Sequence, residues 1–189
     1  MIYIEKGRRE YIKASVSLFF GGFATLHNYI GFLLSEPPYS FRQSVLGFLF
    51  IVYIFGSFSS VYMGRKADVY GHARPLLLSV AATALGAFVT LAPSAVVKIA
   101  GLALFTFGFF GCHSIASVWI GERTRIHKAQ ASSLYLLLCY LGSSLAGTAG
   151  SYVCAHFHWG GVIALVLALL AFSYPFIQFT EKRRPSHGR

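Results

Sequence analysis

Residues 43–63, QSVLGFLFIVYIFGSFSSVYM, form an uninterrupted apolar stretch of 21 residues that contains no Asp, Glu, Lys or Arg. The next residues, GRKADVYGHAR (64–74), carry four charged side chains, and Pro75 then opens a second uncharged stretch that continues to residue 97. A helix needs about 20 consecutive apolar residues to cross a bilayer. This segment therefore predicts two membrane-spanning helices joined by a short basic connection.

The same pattern extends over most of the chain. Uncharged stretches of 21 to 25 residues cover 14–34, 43–63, 75–97, 99–120, 131–155 and 159–179. Of all residues, 56% are apolar and 12% are charged, whereas soluble domains have about a quarter charged residues. Lipid cannot satisfy free backbone groups, and stretches of this length without strict alternation favour helices over barrel strands. We predict an all-α membrane protein with six transmembrane helices within residues 14–179.

The boundary between the fifth and sixth stretches is the weakest, because HFHWGG (156–161) has no formal charge. Histidine and tryptophan suit a membrane interface, and paired glycines suit a tight turn. The charge-free run 129–180 is also far too long for a single crossing. We therefore place two helices there.

Lys and Arg are distributed unevenly between the loops. Segment 1–13, tail 180–189 and the loops after the second and fourth stretches hold 14 of the 16, and the opposite side holds only Arg42 and Lys98. Basic loops remain in the cytoplasm. We therefore expect a multi-pass membrane protein surrounded by lipid, with both termini cytoplasmic. The net charge of +10 reflects this topology, so we expect no nucleic-acid partner.

Small residues recur at every fourth position in several stretches, a pattern that predicts close helix–helix packing in lipid. The rows are Gly56, Ser60 and Gly64; Gly108, Cys112 and Ala116; Gly142, Ala146 and Gly150; and Ser143, Gly147 and Ser151.

The connection GRKADVYGHARPL (64–76) has a specific spacing, Gly-x-x-x-Asp-x-x-Gly-x-x-Arg, set by Gly64, Asp68, Gly71 and Arg74, with Arg65 after the first glycine. Physically it predicts a tight cytoplasmic hairpin, because glycine allows close approach and positive φ. In such a hairpin Asp68 would lie where a helix N-terminus favours an acid. A loop that only fixed topology would not need this spacing.

This connection resembles the signature loop of the major facilitator superfamily (MFS) of secondary transporters, where it follows the second helix of each of two six-helix halves. The segments HNYIGF (27–32), PP (37–38), QASSLY (130–135) and LGSS (141–144) resemble the C-terminal half of the bacterial YnfM-like efflux branch. The resemblance implies half of an MFS fold and transport of a small solute, with efflux as the direction and a bacterial inner (plasma) membrane as the location. It also implies that Asp68 latches against a helix end of the other half, with Arg65 and Arg74 in salt bridges.

Members of this family have two halves, whereas this sequence has six candidate spans. We therefore expect a small-molecule substrate and, as a protein partner, either a separate N-terminal half or a second copy in a homodimer. The alternative function is that of a non-transporting fragment or of a regulatory or scaffold membrane subunit.

Several polar residues within the spans are candidates for a substrate cavity. His27, Asn28 and Tyr29 are adjacent in the first stretch, and His113 follows Thr106 by seven residues in the fourth. A polar side chain in an apolar helix is unfavourable against lipid, so it should face a cavity or a partner. By resemblance these helices line the central cavity, and we predict that His27, Asn28, Tyr29, Tyr53 and His113 line it here.

We expect no enzymatic activity, no cofactor and no metal site. GCHS (111–114) suggests an intramembrane serine protease, but adjacent helical residues such as His113 and Ser114 point about 100° apart. The sixth stretch also supplies no histidine as a base. His156 and His158 alone are too few ligands to form a metal site.

Overall fold

The computed structural model describes the backbone of residues 2–123 and 128–181, and the side chains of residues 18–118, 130 and 133–172. In these ranges all regular structure is helical. The α-helices are α1 (Ile2–Ser35), α2 (Gln43–Gly47), α3 (Tyr53–Tyr70), α4 (Ala73–Val89), α5 (Ala95–Arg123) and α6 (Lys128–Glu181). A 3₁₀ segment, Phe48–Val52, joins α2 to α3, so residues 43–70 are helical throughout.

Within the described residues, four helical segments are long and apolar enough to cross a membrane. They are Leu18–Ser35, Gln43–Tyr70, Ala95–Val118 and Ser133–Phe172. The apolar helix α4 is shorter, with 17 residues. The predicted all-α membrane class is thus confirmed, whereas the described residues give four candidate spans in place of the six predicted.

The long helix α6 reverses direction at His158, whose φ of 53° and ψ of −157° are not helical. Adjacent glycines of α1 show the reversal, because Gly21 faces Ala146 and Gly22 faces Val166. Two positions 20 residues apart would lie about 30 Å apart on a straight helix. The chain therefore doubles back within the segment 156–161, and α6 consists of a first arm (128–157) and a second arm (159–181).

The connection after α3 is shorter than the sequence predicts. Residues 64–70 remain helical, so Asp68 lies in the last turn of α3 rather than at a helix N-terminus. Met63 and Ala67 keep this turn packed in an apolar cluster with α4 and α5, which explains why Gly64 does not end the helix. The helix ends at Gly71, whose φ of 79° is readily adopted by glycine.

The third predicted span reaches residue 97, but α4 ends at Val89 and α5 begins at Ala95. The intervening turn contains Pro93, which has no N–H to donate to a continuing helix. Lys98 therefore lies in the first turn of α5 rather than in a loop, and it is only 4% exposed. The predicted segment 1–13 is helical from Ile2, and the end of the tail, 182–189, lies outside the described residues.

The helices pack in two main groups, one of α1 with α6 and one of α3, α4 and α5. α1 lies against both arms of α6, and α5 lies against α3 and α4. Glycines make the second contact close, because a methyl group at Gly108 would overlap the Thr83 nitrogen and the Ser79 carbonyl oxygen of α4. On the other side, a methyl group at Gly21 would lie 2.5 Å from the Cβ of Ala146. Close packing is thus confirmed for the rows that begin at Gly108 and Gly142.

Candidate functional site

A cavity of about 420 Å³ lies between the second half of α1 and the segment from α2 to the start of α3. Its polar lining residues are His27, Asn28, Ser35, Gln43 and Tyr53. Its other lining residues are Ile30, Gly31, Phe32, Leu46, Gly47, Leu49, Phe50 and Leu102. The wall is therefore mainly apolar, with a few neutral polar groups.

The cavity lies in the part of the bundle away from the signature loop. Its α1 and α2 residues come from helix ends that residues 36–42 connect. The signature loop, in contrast, connects the opposite ends of α3 and α4. The two features are thus at opposite ends of the helices.

The imidazole of His27 is held in place through both ring nitrogens. Its Nδ1 lies 3.3 Å from the carbonyl oxygen of Phe23, one turn earlier in α1. Its Nε2 lies 3.1 Å from the Thr106 hydroxyl of α5, which also contacts the Leu102 carbonyl oxygen at 2.8 Å. This arrangement fixes one polar ring on the cavity wall, and it satisfies the buried hydroxyl of Thr106.

A layer of stacked aromatic rings packs against His27, next to the cavity. The ring of Phe23 lies 4.1 Å from that of His27 and stacks on Phe109 at a centroid distance of 3.8 Å. Phe19 and Phe20 contact the same Phe109 ring at 5.1 and 4.9 Å. We call these four phenylalanines the aromatic layer.

A second histidine forms a polar contact with a tyrosine beyond the aromatic layer. His113 Nδ1 and the Tyr135 hydroxyl of α6 are 2.7 Å apart, and their rings are nearly parallel. Seven residues separate His113 from Thr106 on α5, which is about 10 Å along the helix axis. The pairs His27–Thr106 and His113–Tyr135 are thus two separate polar contacts, with phenylalanine rings between them.

The structure brings three of the five predicted cavity residues together, His27, Asn28 and Tyr53. Tyr29 is directed to the first arm of α6, where its hydroxyl donates to the Gly147 carbonyl oxygen at 2.8 Å. His113 belongs to the pair with Tyr135. Phe32 and Phe50 line the cavity without having been predicted, because an aromatic residue in an apolar stretch gives no signal that separates a cavity wall from a lipid-facing surface.

The charged residues of the signature loop point to solvent. Arg65, Asp68 and Arg74 are exposed, and none of them forms an ion pair with a residue that the structure describes. The ammonium of Lys66 instead lies 5.5 Å and 5.2 Å from the ring centroids of Tyr62 and Tyr70. The latch and salt bridges expected for Asp68, Arg65 and Arg74 stay predictions.

Comparison with known proteins gives consistent matches. The model of the Major Facilitator Superfamily matches residues 14–189. The uncharacterized MFS-type transporter YybF of Bacillus subtilis (strain 168) is 46% identical over 153 residues, which cover 81% of this chain and 38% of YybF. The inner membrane transport protein YnfM of Escherichia coli (strain K12) is 42% identical over 153 residues, 81% of this chain and 37% of YnfM.

An uncharacterized transporter of Buchnera aphidicola subsp. Acyrthosiphon pisum, BU588, is 36% identical over 164 residues, 87% of this chain and 40% of its own length. The chain thus spans about two-fifths of the length of these curated relatives. The resemblance seen in the signature loop is confirmed over most of the chain. With its family match and its apolar helices, this multi-pass membrane protein belongs to the major facilitator superfamily.

Proposed function

We propose that the chain forms one six-helix domain of a secondary transporter that exports a small solute across the bacterial inner membrane by alternating access. The six crossings would be α1, the α2–α3 segment, α4, α5 and the two arms of α6. The reversal at His158 supports this number, because it divides a helix of 54 residues into two membrane-length arms. Both termini would then lie on the cytoplasmic side, with the signature loop.

The cavity beside His27 is the observation that carries the transport proposal. It places neutral polar groups inside candidate membrane spans, where they would be unfavourable against lipid. The aromatic layer packs against His27 on the cavity wall, and the pair His113–Tyr135 lies beyond that layer. We propose that this layer separates the cavity from the cytoplasmic end in one state of the transport cycle, as alternating access requires.

A second six-helix unit would supply the facing wall of the translocation pathway. We propose either a separate N-terminal half or a second copy of this chain, because the match covers about two-fifths of each relative. Asp68 supports such a partner. Its carboxylate is exposed in the last turn of α3, where the negative end of the helix dipole disfavours an acid. A positive helix end or cation on a partner would remove this penalty.

Flux in inside-out membrane vesicles tests the proposal. The chain would be expressed alone and with the N-terminal half of a relative, and the labelled solutes would be indole, glucose and benzoate. We expect concentrative uptake of at least one solute, reduced about tenfold or more by Asp68→Asn. The matched control is Glu36→Gln, which changes an exposed acid at the other end of the helices. Equal flux in both variants would contradict the latch, and no flux in any assembly would favour the non-transporting or scaffold subunit.

A further inference from the structure

We propose that the cavity binds an uncharged, planar aromatic solute that carries one or two hydrogen-bonding groups. This inference rests on the proposed function, because it assigns a substrate class to the same cavity. The cavity volume of about 420 Å³ falls in the range of about 300–1,000 Å³ typical of small-molecule sites. Three features of the wall specify the chemistry of the occupant.

The first feature is aromatic surface that the protein leaves open. Phe32 and Phe50, on facing elements of the wall, are 65% and 70% exposed. Phe50 and Tyr53 lie with ring centroids 5.9 Å apart and planes within 29° of each other. Offset stacking with centroids 4.5–7 Å apart is a favourable arrangement for aromatic pairs. A flat aromatic solute can therefore stack on Phe32 or Phe50, each of which has one described aromatic partner.

The second feature is the charge of the lining. Among the residues that the structure describes, no Asp, Glu, Lys or Arg lines the cavity. Glu36 comes directly after one lining residue in the sequence, and Arg42 comes directly before another. The two have opposite charges, and neither is part of the wall. The ammonium of Lys98 is already engaged with the carbonyl oxygen of Thr90. A carboxylate, phosphate or amine would thus lose its hydration without gaining an opposite charge.

The third feature is the small number of free hydrogen-bonding groups. Both nitrogens of His27 are engaged, and Ser35 Oγ donates to the Phe32 carbonyl oxygen. The side chains of Asn28, Gln43 and Tyr53 form no hydrogen bond to any described residue, so they are available to a solute. A sugar has more hydroxyl groups than these side chains can satisfy, and an unsatisfied buried polar group disfavours binding. One or two polar groups on an aromatic solute fit this wall.

Binding of labelled indole to the full chain in lipid nanodiscs tests the inference. Indole-3-acetate, tryptamine and glucose serve as competitors, because the first is an anionic relative of indole, the second a cationic one, and the third a sugar. We expect labelled indole to bind saturably. Each of the three competitors should displace it at least tenfold more weakly than unlabelled indole does. Equal or better competition by any of them would overturn the inference.

Two glycines provide matched variants that locate the bound probe. Gly31 lines the cavity and Gly160 does not, and at both positions no atom lies within 4 Å of where a Cβ would be. We expect Gly31→Leu to fill the cavity and weaken indole binding at least tenfold, while Gly160→Leu binds like the original chain. Both variants should unfold at the same temperature, which shows that the fold is retained. Indole binding that is absent, or insensitive to Gly31→Leu, would contradict this site.

The binding and flux experiments fail independently. Export of glucose or benzoate by a chain that does not bind indole would overturn the assigned substrate class and leave the proposed transporter intact. Specific indole binding without flux of any solute would support the assigned ligand class and contradict the transport proposal.

Discussion

Lys98 and Trp159 donate hydrogen bonds to the same acceptor, the carbonyl oxygen of Thr90, at 2.7 Å and 3.0 Å. The ammonium of Lys98 also lies 5.8 Å from the Trp159 ring centroid and 5.7 Å from that of Tyr39. The Tyr39 hydroxyl donates to the Pro93 carbonyl oxygen at 2.6 Å. Side chains from the first loop, α5 and the second arm of α6 thus meet at the turn after α4.

The shared acceptor predicts that the losses of unfolding free energy caused by substituting Lys98 and Trp159 are not additive. In Lys98→Met or Trp159→Phe the Thr90 oxygen keeps one donor, but in the double variant it loses both. We expect the double variant to lose about 1–3 kcal/mol of unfolding free energy more than the sum of the single variants, the cost of an unsatisfied buried acceptor. The measurement is unfolding by SDS titration in mixed micelles. Additive losses would show that the two bonds are independent.

The close contact between α4 and α5 predicts that Gly108 does not tolerate a larger residue. Gly108→Ala forces its new methyl group against the backbone of Thr83 and Ser79, and overpacking of this kind costs about 1–3 kcal/mol. Gly160→Ala is the control, because its surroundings are open. The reaction of the buried thiols Cys112 and Cys139 with a dye during heating reports unfolding. Equal unfolding temperatures for the two variants would contradict the observed packing.

The pair His113–Tyr135 predicts a stability effect of the Tyr135 hydroxyl. Tyr135→Phe keeps the ring against His113 and Phe20 but removes the 2.7 Å hydrogen bond, which should cost about 1 kcal/mol. Tyr140→Phe is the matched control, since Tyr140 is 73% exposed. SDS titration distinguishes the two variants. A loss for Tyr140→Phe as large as that for Tyr135→Phe would argue against a specific role for the pair.

The proposed topology predicts that the two ends of the α2–α3 segment lie on opposite sides of the membrane. Single cysteines at Ser40 and Val69, both exposed, would be introduced in a Cys154→Ser background. In spheroplasts we expect an impermeant maleimide to label Ser40→Cys at once and Val69→Cys only after permeabilisation. The loop after α3 is basic, and loops rich in Lys and Arg remain on the cytoplasmic side of the membrane. Labelling of both positions from outside would exclude this orientation.

The apolar stretches could be predicted from composition alone, because hydrocarbon as a solvent requires long uncharged helices. The positions of the helix ends could not be predicted from composition. Whether Gly64 ends a helix depends on the packing of Met63 and Ala67 against other helices, and the span after Pro75 ends at Val89 although the apolar sequence continues. These ends are set by tertiary contacts and by the backbone hydrogen bonds of a turn, which hydropathy does not contain.

Only part of the candidate site could be predicted from the sequence, and the reason is geometric. Two residues along a helix turn the side-chain direction by about 200°, so Tyr29 points away from the wall that His27 lines. Asn28 lines the cavity, whereas Tyr29 bonds to Gly147 on the first arm of α6. Similarly, Thr106 and His113 share a face of α5, but their polar partners come from different helices, His27 from α1 and Tyr135 from α6.

With 17 residues, α4 is about 25 Å long, which is less than the hydrocarbon thickness of about 30 Å that it would cross. If α4 crosses as proposed, one of its ends falls short of the headgroups, and the donors from Lys98 and Trp159 satisfy the Thr90 carbonyl oxygen at its carboxyl end. Hydrophobic mismatch of this kind is relieved by local thinning of the bilayer. The domain should consequently favour short-chain lipids, and its activity after reconstitution should decline as the acyl chains are lengthened.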